Sequence, residues 1–312
     1  MVAALTVALL FGSPASAHRR AQFPVQSMGD RGADIVALQH LLRSRGRSVS
    51  VSGYFGTETR SALMSYQASA GVNNSGVAHV STWEALVPVL SQGASGEAVL
   101  ALKKQLNAKV RASLSLTSTF DAATRVAVLD FQGHMGLSRN GVVDRTTWRN
   151  LIWHYMRPNF SDAALCNYNG GSTRADWGTA AAIAHLESAA RLFRQRTGGR
   201  VAIGDISFEH GGPIRLHATH EHGLDIDIAL VRTDGRQCNQ PGTSYKSVKY
   251  DRADTRQLLR AIRETLGGHL KLIYFNDPVL VREGLSRKYP NHNDHIHVRL
   301  CEPAHQKARY VC

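Results

Sequence analysis

From Leu224 the chain reads Leu, Asp, Ile, Asp, Ile, Ala, Leu, with a large apolar residue at every second position. A period of two predicts a strand. Leu224, Ile226, Ile228 and Leu230 take one face, and Asp225 and Asp227 take the other. A second segment, NHNDHIHVRL at 291 to 300, repeats the pattern. Ile296, Val298 and Leu300 form its apolar face, His295, His297 and Arg299 share the opposite one, and His292 lies in the approach. An isolated LDIDIAL describes a half-buried strand with a solvated acidic face. Two such strands, each presenting imidazole or carboxylate away from its apolar face, could surround a metal ion once they lie close in one sheet.

The amino half carries another pattern, and that pattern repeats. GDRGADIVALQHLL (29 to 42) returns as GASGEAVLALKKQL (93 to 106), and GYFGTETRSALMSYQASAGV (53 to 72) returns as STFDAATRVAVLDFQGHMGL (118 to 137). Leu38 and Leu102, Phe55 and Phe120, Gln67 and Gln132, and Trp83 and Trp148 therefore occupy equivalent places. Each unit predicts a helix, a turn, a second helix from a Thr-rich start, and a short third helix carrying Trp. Thr57 and Asp121 are the expected helix N-caps. Both tryptophans are expected in three-helix cores. Further on, AIAHLESAARLF has an amphipathic helix pattern that places His185 on the helix surface.

Length and cysteine usage set the frame. The 312 residues are enough for two or three domains. Residues 1 to 17 end in Ala15-Ser16-Ala17 after an apolar run, which predicts a secretory signal cut before His18, although the basic n-region is missing. No later segment is long and apolar enough to span a membrane. Cysteines stand at 166, 238, 301 and 312. In an exported chain an even count predicts two disulfides, with three pairings open. The favoured one joins Cys166 to Cys312, tying the ends of the domain, and leaves Cys238 with Cys301. Zinc held by cysteine is the alternative, and no CxxC pair supports it.

The histidines carry the chemistry. A catalytic zinc is usually held by three histidine or carboxylate ligands, with one position left open. It acidifies water and polarises a carbonyl. His220, Asp227 and His297 would supply two nitrogens and one carboxylate oxygen. Spare imidazoles at His217, His222, His292 and His295 could serve as base or as donor to a tetrahedral intermediate. Of the remaining candidates, His222 reads as a solvated loop residue, and His210 in FEHGG as part of the turn made by its glycines. Asp225 reads equally as a surface acid or as an acceptor that orients a ligand histidine.

His220, six intervening residues and Asp227, followed downstream by His295-Ile296-His297, resemble the zinc peptidases that cut D-amino-acid bonds in bacterial cell walls. Lysostaphin-like endopeptidases have three residues between the first His and Asp, and the helical HExxH motif is absent here. The full set is Gly204-Asp205, Gly211-Gly212, His217, His220, Gly223-Leu224-Asp225-Ile226-Asp227, His292, His295 and His297-Val298-Arg299. It is similar to the penicillin-insensitive murein endopeptidases over roughly residues 160 to 312. That resemblance implies Zn2+ held by His220, Asp227 and His297, with His217 able to touch metal in a second site. It implies His295 as general base or intermediate stabiliser, with His292 beside it. Asp251 and Asp254 fall where the family has Asp-x-x-His, and Thr219 and Glu221 stand where it commonly has Ser and Gln.

The repeat resembles the peptidoglycan-binding domain found beside wall hydrolases, which points to the 54 to 59 and 119 to 124 regions as the glycan–peptide surface. The net charge of +13 raises nucleic acid, but no recognition helix, finger or aromatic RNA-binding signature accompanies it. Attraction to anionic wall polymers is the simpler account. The expected protein is therefore multidomain: a signal (1–17), two all-α three-helix peptidoglycan-binding modules (27–90 and 91–153), and an α+β zinc peptidase domain with a mainly antiparallel sheet (160–312). The expected activity is secreted murein DD-endopeptidase, with peptidoglycan as partner. The alternatives are a zinc D-alanyl-D-alanine carboxypeptidase and a non-catalytic wall-binding protein.

Overall fold

A computed structural model describes residues 21–168, 175–215 and 217–312; the expected signal segment lies outside the described residues. In the amino half, α1 (Ala33–Ser44), α2 (Thr57–Ala70) and α3 (Val80–Leu86) form one unit, and α4 (Glu97–Val110), α5 (Ala122–His134) and α6 (Arg145–Trp153) form its repeat. Equivalent residues make equivalent contacts. Trp83 and Trp148 are fully buried, and their indole N–H groups donate to Pro24 O at 2.9 Å and Pro88 O at 2.8 Å. Gln67 accepts from Gly76 N and donates to Val77 O, while Gln132 accepts from Gly141 N and donates to Val142 O. Each buried amide thus staples its second helix to the turn before the third. Asp121 caps α5 by accepting from Thr124 N at 2.8 Å. Thr57 does not cap α2. The extended Gly56 precedes it as N-cap, without a side-chain bond, and Thr57 is the first helical residue.

The two units share one apolar core, and α1 packs on α4. Beside that packing lies a buried lysine. Lys109 Nζ sits 3.1 Å from Asp34 Oδ1 and donates to Ile152 O at 2.9 Å and His154 O at 2.6 Å. All three ammonium protons are thereby used, as a charge removed from water requires. One cation ties the first unit, the second unit and the chain leaving it.

The carboxyl half comprises β1 (Leu165–Asn167), α7 (Ala180–Thr197), β2 (Val201–Ile203), β3 (Asp225–Ala229), α8 (Arg252–Leu266), β4 (Leu270–Tyr274), α9 (Pro278–Arg282) and β5 (His295–Leu300). The sheet runs β1-β2-β3-β5-β4. It is mixed, with β1 parallel to β2 and the other pairs antiparallel. Ile226, Ile228, Ile296 and Val298 join a core with Ile183 and Phe193 of α7 and Leu259 and Ile262 of α8. The helices therefore cover one sheet face, and the polar residues of β3 and β5 are left for the other.

His185 is not on a free helix surface. It is 1% exposed, its Nδ1 donates to Thr265 O at 3.0 Å, and burial lowers its pKa to about 4. The helix pattern could not reveal that the end of α8 covers this side of α7. His185 also lies 4.9 Å, ring to ring, from His269, which pairs with Asp30 of the first helical unit at 3.2 Å. At the same seam Gly32 has φ +113°, and a Cβ there would stand 2.7 Å from Ala180 O. Only glycine permits this approach.

The disulfides are Cys166–Cys238 and Cys301–Cys312, not the expected Cys166–Cys312 and Cys238–Cys301. The sheet order explains the difference. Cys166 is on edge strand β1 and Cys301 follows β5, three strand positions away, or roughly 14 Å at the usual spacing. Cys312 pairs its backbone with Glu302 and so stays beside Cys301, beyond the roughly 7 Å reach of a disulfide to Cys166.

Replacing Gln132 with Ala leaves the buried Gly141 N–H without its partner and Val142 C=O with only the long bond from Thr147 Oγ1 at 3.4 Å. The helical half should lose about 2 kcal/mol, measurable as an earlier calorimetric transition of the full chain. An unchanged transition would mean that Gln132 does not hold the turn.

Candidate metal centre

The site follows from strand register. β3 and β5 pair so that Asp225 opposes Arg299, Asp227 opposes His297 and Ala229 opposes His295. Because residues two apart share a face, Asp225, Asp227, His295, His297 and Arg299 gather on the side away from the helices. His220 comes from the loop preceding β3. Its Nδ1 donates to Ile206 O at 3.0 Å, which leaves the Nε2 lone pair facing the strands. The return to β3 passes Gly223 (φ +67°), where a Cβ would lie 3.0 Å from the backbone of Gly178 and Thr179.

Three atoms meet there. His220 Nε2 is 3.3 Å from His297 Nδ1 and 3.3 Å from Asp227 Oδ1, and His297 Nδ1 is 3.0 Å from Asp227 Oδ1. His297 Nε2 donates to Asp225 Oδ1 at 2.8 Å, so its Nδ1, like His220 Nε2, turns a lone pair inward. Two imidazole lone pairs and a carboxylate oxygen repel unless a cation sits among them. Zinc bonds of 2.0–2.1 Å at tetrahedral angles place neighbouring ligands roughly 3.3 Å apart, and the observed triangle has that size. The donor set fits zinc.

Asp225 is the buried anchor beneath. It is fully buried and accepts from His297, from Arg299 Nε at 2.7 Å and from Tyr310 Oη at 2.6 Å. Burial alone would raise its pKa, but the hydrogen bonds and charges of His297 and Arg299 bring it down to about 2. Asp227 is likewise held well below the carboxylate range: the His220 and His297 rings beside it overcome its burial. In the absence of metal a proton takes the cation's place. Burial disfavours the His297 imidazolium, yet hydrogen bonds to Asp225 and Asp227 outweigh this and push its pKa to about 9.

The surrounding imidazoles differ in exposure and tether. His217 is half-buried, with Nε2 3.2 Å from Asp205 Oδ2 and Nδ1 3.7 Å from Asp227 Oδ2; the hydrogen bond to Asp205 raises its pKa. His217, His220 and Asp227 have donor atoms within 4.8 Å of one another, a second triad that shares two members with the first. His295 Nδ1 is held 2.9 Å from Asp294 Oδ1, and its Nε2 lies 3.9 Å from Asp227 Oδ1. His292 Nδ1 donates to Pro290 O at 2.6 Å, its ring is 4.7 Å from that of His295, and burial lowers its pKa. The fold thus gathers His217, His220, Asp227, His292, His295 and His297.

Other candidates fall elsewhere. Asp251 caps α8 through Asp254 N at 2.9 Å, and neither residue joins a metal-capable cluster among the described residues. His222 is not a solvated loop residue; its half-buried ring packs 5.2 Å from Tyr310 and 5.0 Å from His305. Sequence reasoning missed Tyr310, eleven residues beyond Arg299 and eighty-five from its partner Asp225, and Tyr168, which lies over Gly204. Burial and the nearby charges of Asp227 and Asp205 push the Tyr168 phenol upward. No local pattern marks either tyrosine.

Comparison with known families agrees with the order of segments. Residues 31–86 and 95–151 match the putative peptidoglycan binding domain, and residues 171–267 match the penicillin-insensitive murein endopeptidase. The latter match includes His217, His220 and Asp227 and stops before β5. No curated protein gives a significant match to the chain.

With His297 raised above the ordinary imidazole value, its proton stabilises the metal-free fold fully below pH ~6.5, and this contribution is lost as pH rises through about 9. In metal-free protein the His297 ring, followed by NMR, should therefore titrate near about 9, and Asp225→Asn should lower its midpoint. A midpoint near ~6.5 in the unsubstituted protein would contradict the hydrogen bonding described.

Proposed function

We propose that this chain, a peptidase segment following two peptidoglycan-binding domains, is an exported zinc endopeptidase that hydrolyses D-alanyl cross-links of peptidoglycan. The observation carrying this reading is the buried triangle of inward-facing acceptors, His220 Nε2, Asp227 Oδ1 and His297 Nδ1, with edges of 3.0–3.3 Å. These three residues would hold the zinc, and His217 stands beside them through its contact with Asp227. When bound, zinc polarises a peptide carbonyl and makes water acidic enough to react near neutral pH.

The remaining steps belong to side chains. Asp294 fixes the His295 Nδ1 proton, leaving Nε2 turned toward Asp227 as the base that takes a proton from water. The same nitrogen then returns the proton to the leaving amine. His292, tethered at Nδ1 by Pro290 O, keeps its other nitrogen for the oxyanion or the peptide. Asp225 sets the tautomer of His297 from behind, as carboxylates behind metal-bound histidines do.

Peptidoglycan as partner is supported by the two matching domains, and an extracytoplasmic setting by those domains together with two disulfides. The positive net charge suits retention on anionic wall polymers, an attraction that salt should weaken.

Two substitutions separate ligand from base. His297→Ala should lower zinc content and activity together. His295→Ala should leave zinc in place while turnover drops ~100- to 10,000-fold. A folded, zinc-loaded His295 variant cutting at the parental rate would transfer the role to His292. Mass spectrometry of digested sacculi identifies the bond. Cross-linked dimers released as monomers are expected, whereas loss of a single terminal D-alanine would make the enzyme a carboxypeptidase.

A further inference from the structure

A second histidine cluster lies at the seam between the second helical unit and the peptidase half. His134 ends α5 and His154 follows α6, while Glu209 and His210 stand in the turn after β2. One donor atom from each of the four residues lies within 4.8 Å of the others. His134 Nε2 is 3.1 Å from Glu209 Oε1, and His154 Nε2 is 3.6 Å from the same oxygen. The three imidazole rings are mutually 5.4–5.8 Å apart.

We propose that His134, His154, Glu209 and His210 form a second transition-metal site, of the zinc class, that clamps the second peptidoglycan-binding unit to the peptidase domain. The strongest sign is His154. It is fully buried, and its Nδ1 donates to Tyr155 O at 2.6 Å. Its Nε2 therefore carries a bare lone pair, aimed into the cluster and without a hydrogen-bond partner. A backbone carbonyl on the far nitrogen is the usual tether of a metal-binding histidine. His210 Nδ1 is also buried and unpartnered.

Geometry and chemistry then select the ion. Four protein donors make a closed coordination shell, the form of a structural zinc site rather than a catalytic one. Closing separations of up to 4.8 Å to the ligand spacing of tetrahedral zinc needs side-chain shifts of about 1 Å. His134 can supply much of this, because it is 43% exposed. Three imidazoles and one carboxylate favour zinc, cobalt or nickel over calcium and magnesium, which prefer oxygen. A cleft of about 790 Å³ reaches His134 and Glu209 from outside and gives an ion a route in. The site shares no residue with the triangle at His220, so it stands whether or not that triangle binds zinc.

The test is metal content of the full-length chain in a His220→Ala, Asp227→Ala background, which removes the first site. After zinc loading and gel filtration this folded variant should retain about one equivalent of zinc. Adding His134→Ala and His210→Ala should bring the content close to zero, and calcium should be retained by neither. Cobalt(II) should give tetrahedral absorption bands that vanish with the same two substitutions. If the first-site variant does not fold, the seam substitutions in the parent chain must remove about one equivalent and abolish a zinc-dependent rise in melting temperature. A folded first-site variant without zinc, or seam substitutions that leave zinc content unchanged, would show a merely packed histidine seam and overturn the proposal.

Discussion

Everything in the peptidase half is arranged around three acceptor atoms that repel one another. His220 Nε2, His297 Nδ1 and Asp227 Oδ1 stand 3.0–3.3 Å apart in a buried place, where weak screening makes like polarity costly. The fold imposes that cost through register. Asp227 and His297 are direct partners across β3 and β5, and the apolar side chains beside them cannot turn outward without surrendering the core. His220 is held from the opposite side by Ile206 O. A cation relieves the repulsion, and in metal-free protein the relief is a proton on His297. Folding energy from the apolar sheet face thus offsets the cost of holding these acceptors together, the preorganisation that the proposed metal site requires.

Asp225 makes this tolerable. A lone carboxylate with no exposure would be ruinous, but Arg299, His297 and Tyr310 surround it with donors. Arg299 lies two residues beyond His297 on the same strand face, directly opposite Asp225. The strand pair therefore contains two cross-strand acid–base pairs in series, one at the acceptor triangle and one behind it. Tyr310 links this support to the carboxyl-terminal segment, which the Cys301–Cys312 disulfide closes onto the end of β5.

How much of this was legible follows from the range of each signal. Alternation in LDIDIAL and HIHVRL exposed the two strands and their shared polar face, since period two is local. The sixty-odd-residue repeat exposed the helical units, and the structure repeats even the Gln67 and Gln132 staples. What failed was long-range. The disulfide pairing depends on strand order, which spacing does not encode. His185 sits on a helix face that only the docking of α8 and His269 makes interior, and Tyr310 reaches Asp225 from eighty-five residues away. His154 belongs to no motif because its partners come from both halves of the molecule.

The two histidine clusters differ in a way that separates their work. At the triangle three acceptors converge with His217 beside them, and half-buried His295 and His292 flank the group, an arrangement that suits the open site of the proposed peptidase. At the seam four donors surround the point, His154 is sealed under Phe131 and Trp177, and the contributing chains come from two domains. Lys109 reinforces the same junction by donating to the carbonyl of His154. On the far side, Asp30 and His269 tie the first unit to the peptidase half. The helical half is consequently docked at two points rather than tethered by a loose linker. An ion at the seam would strengthen the first of these points and make it depend on metal supply.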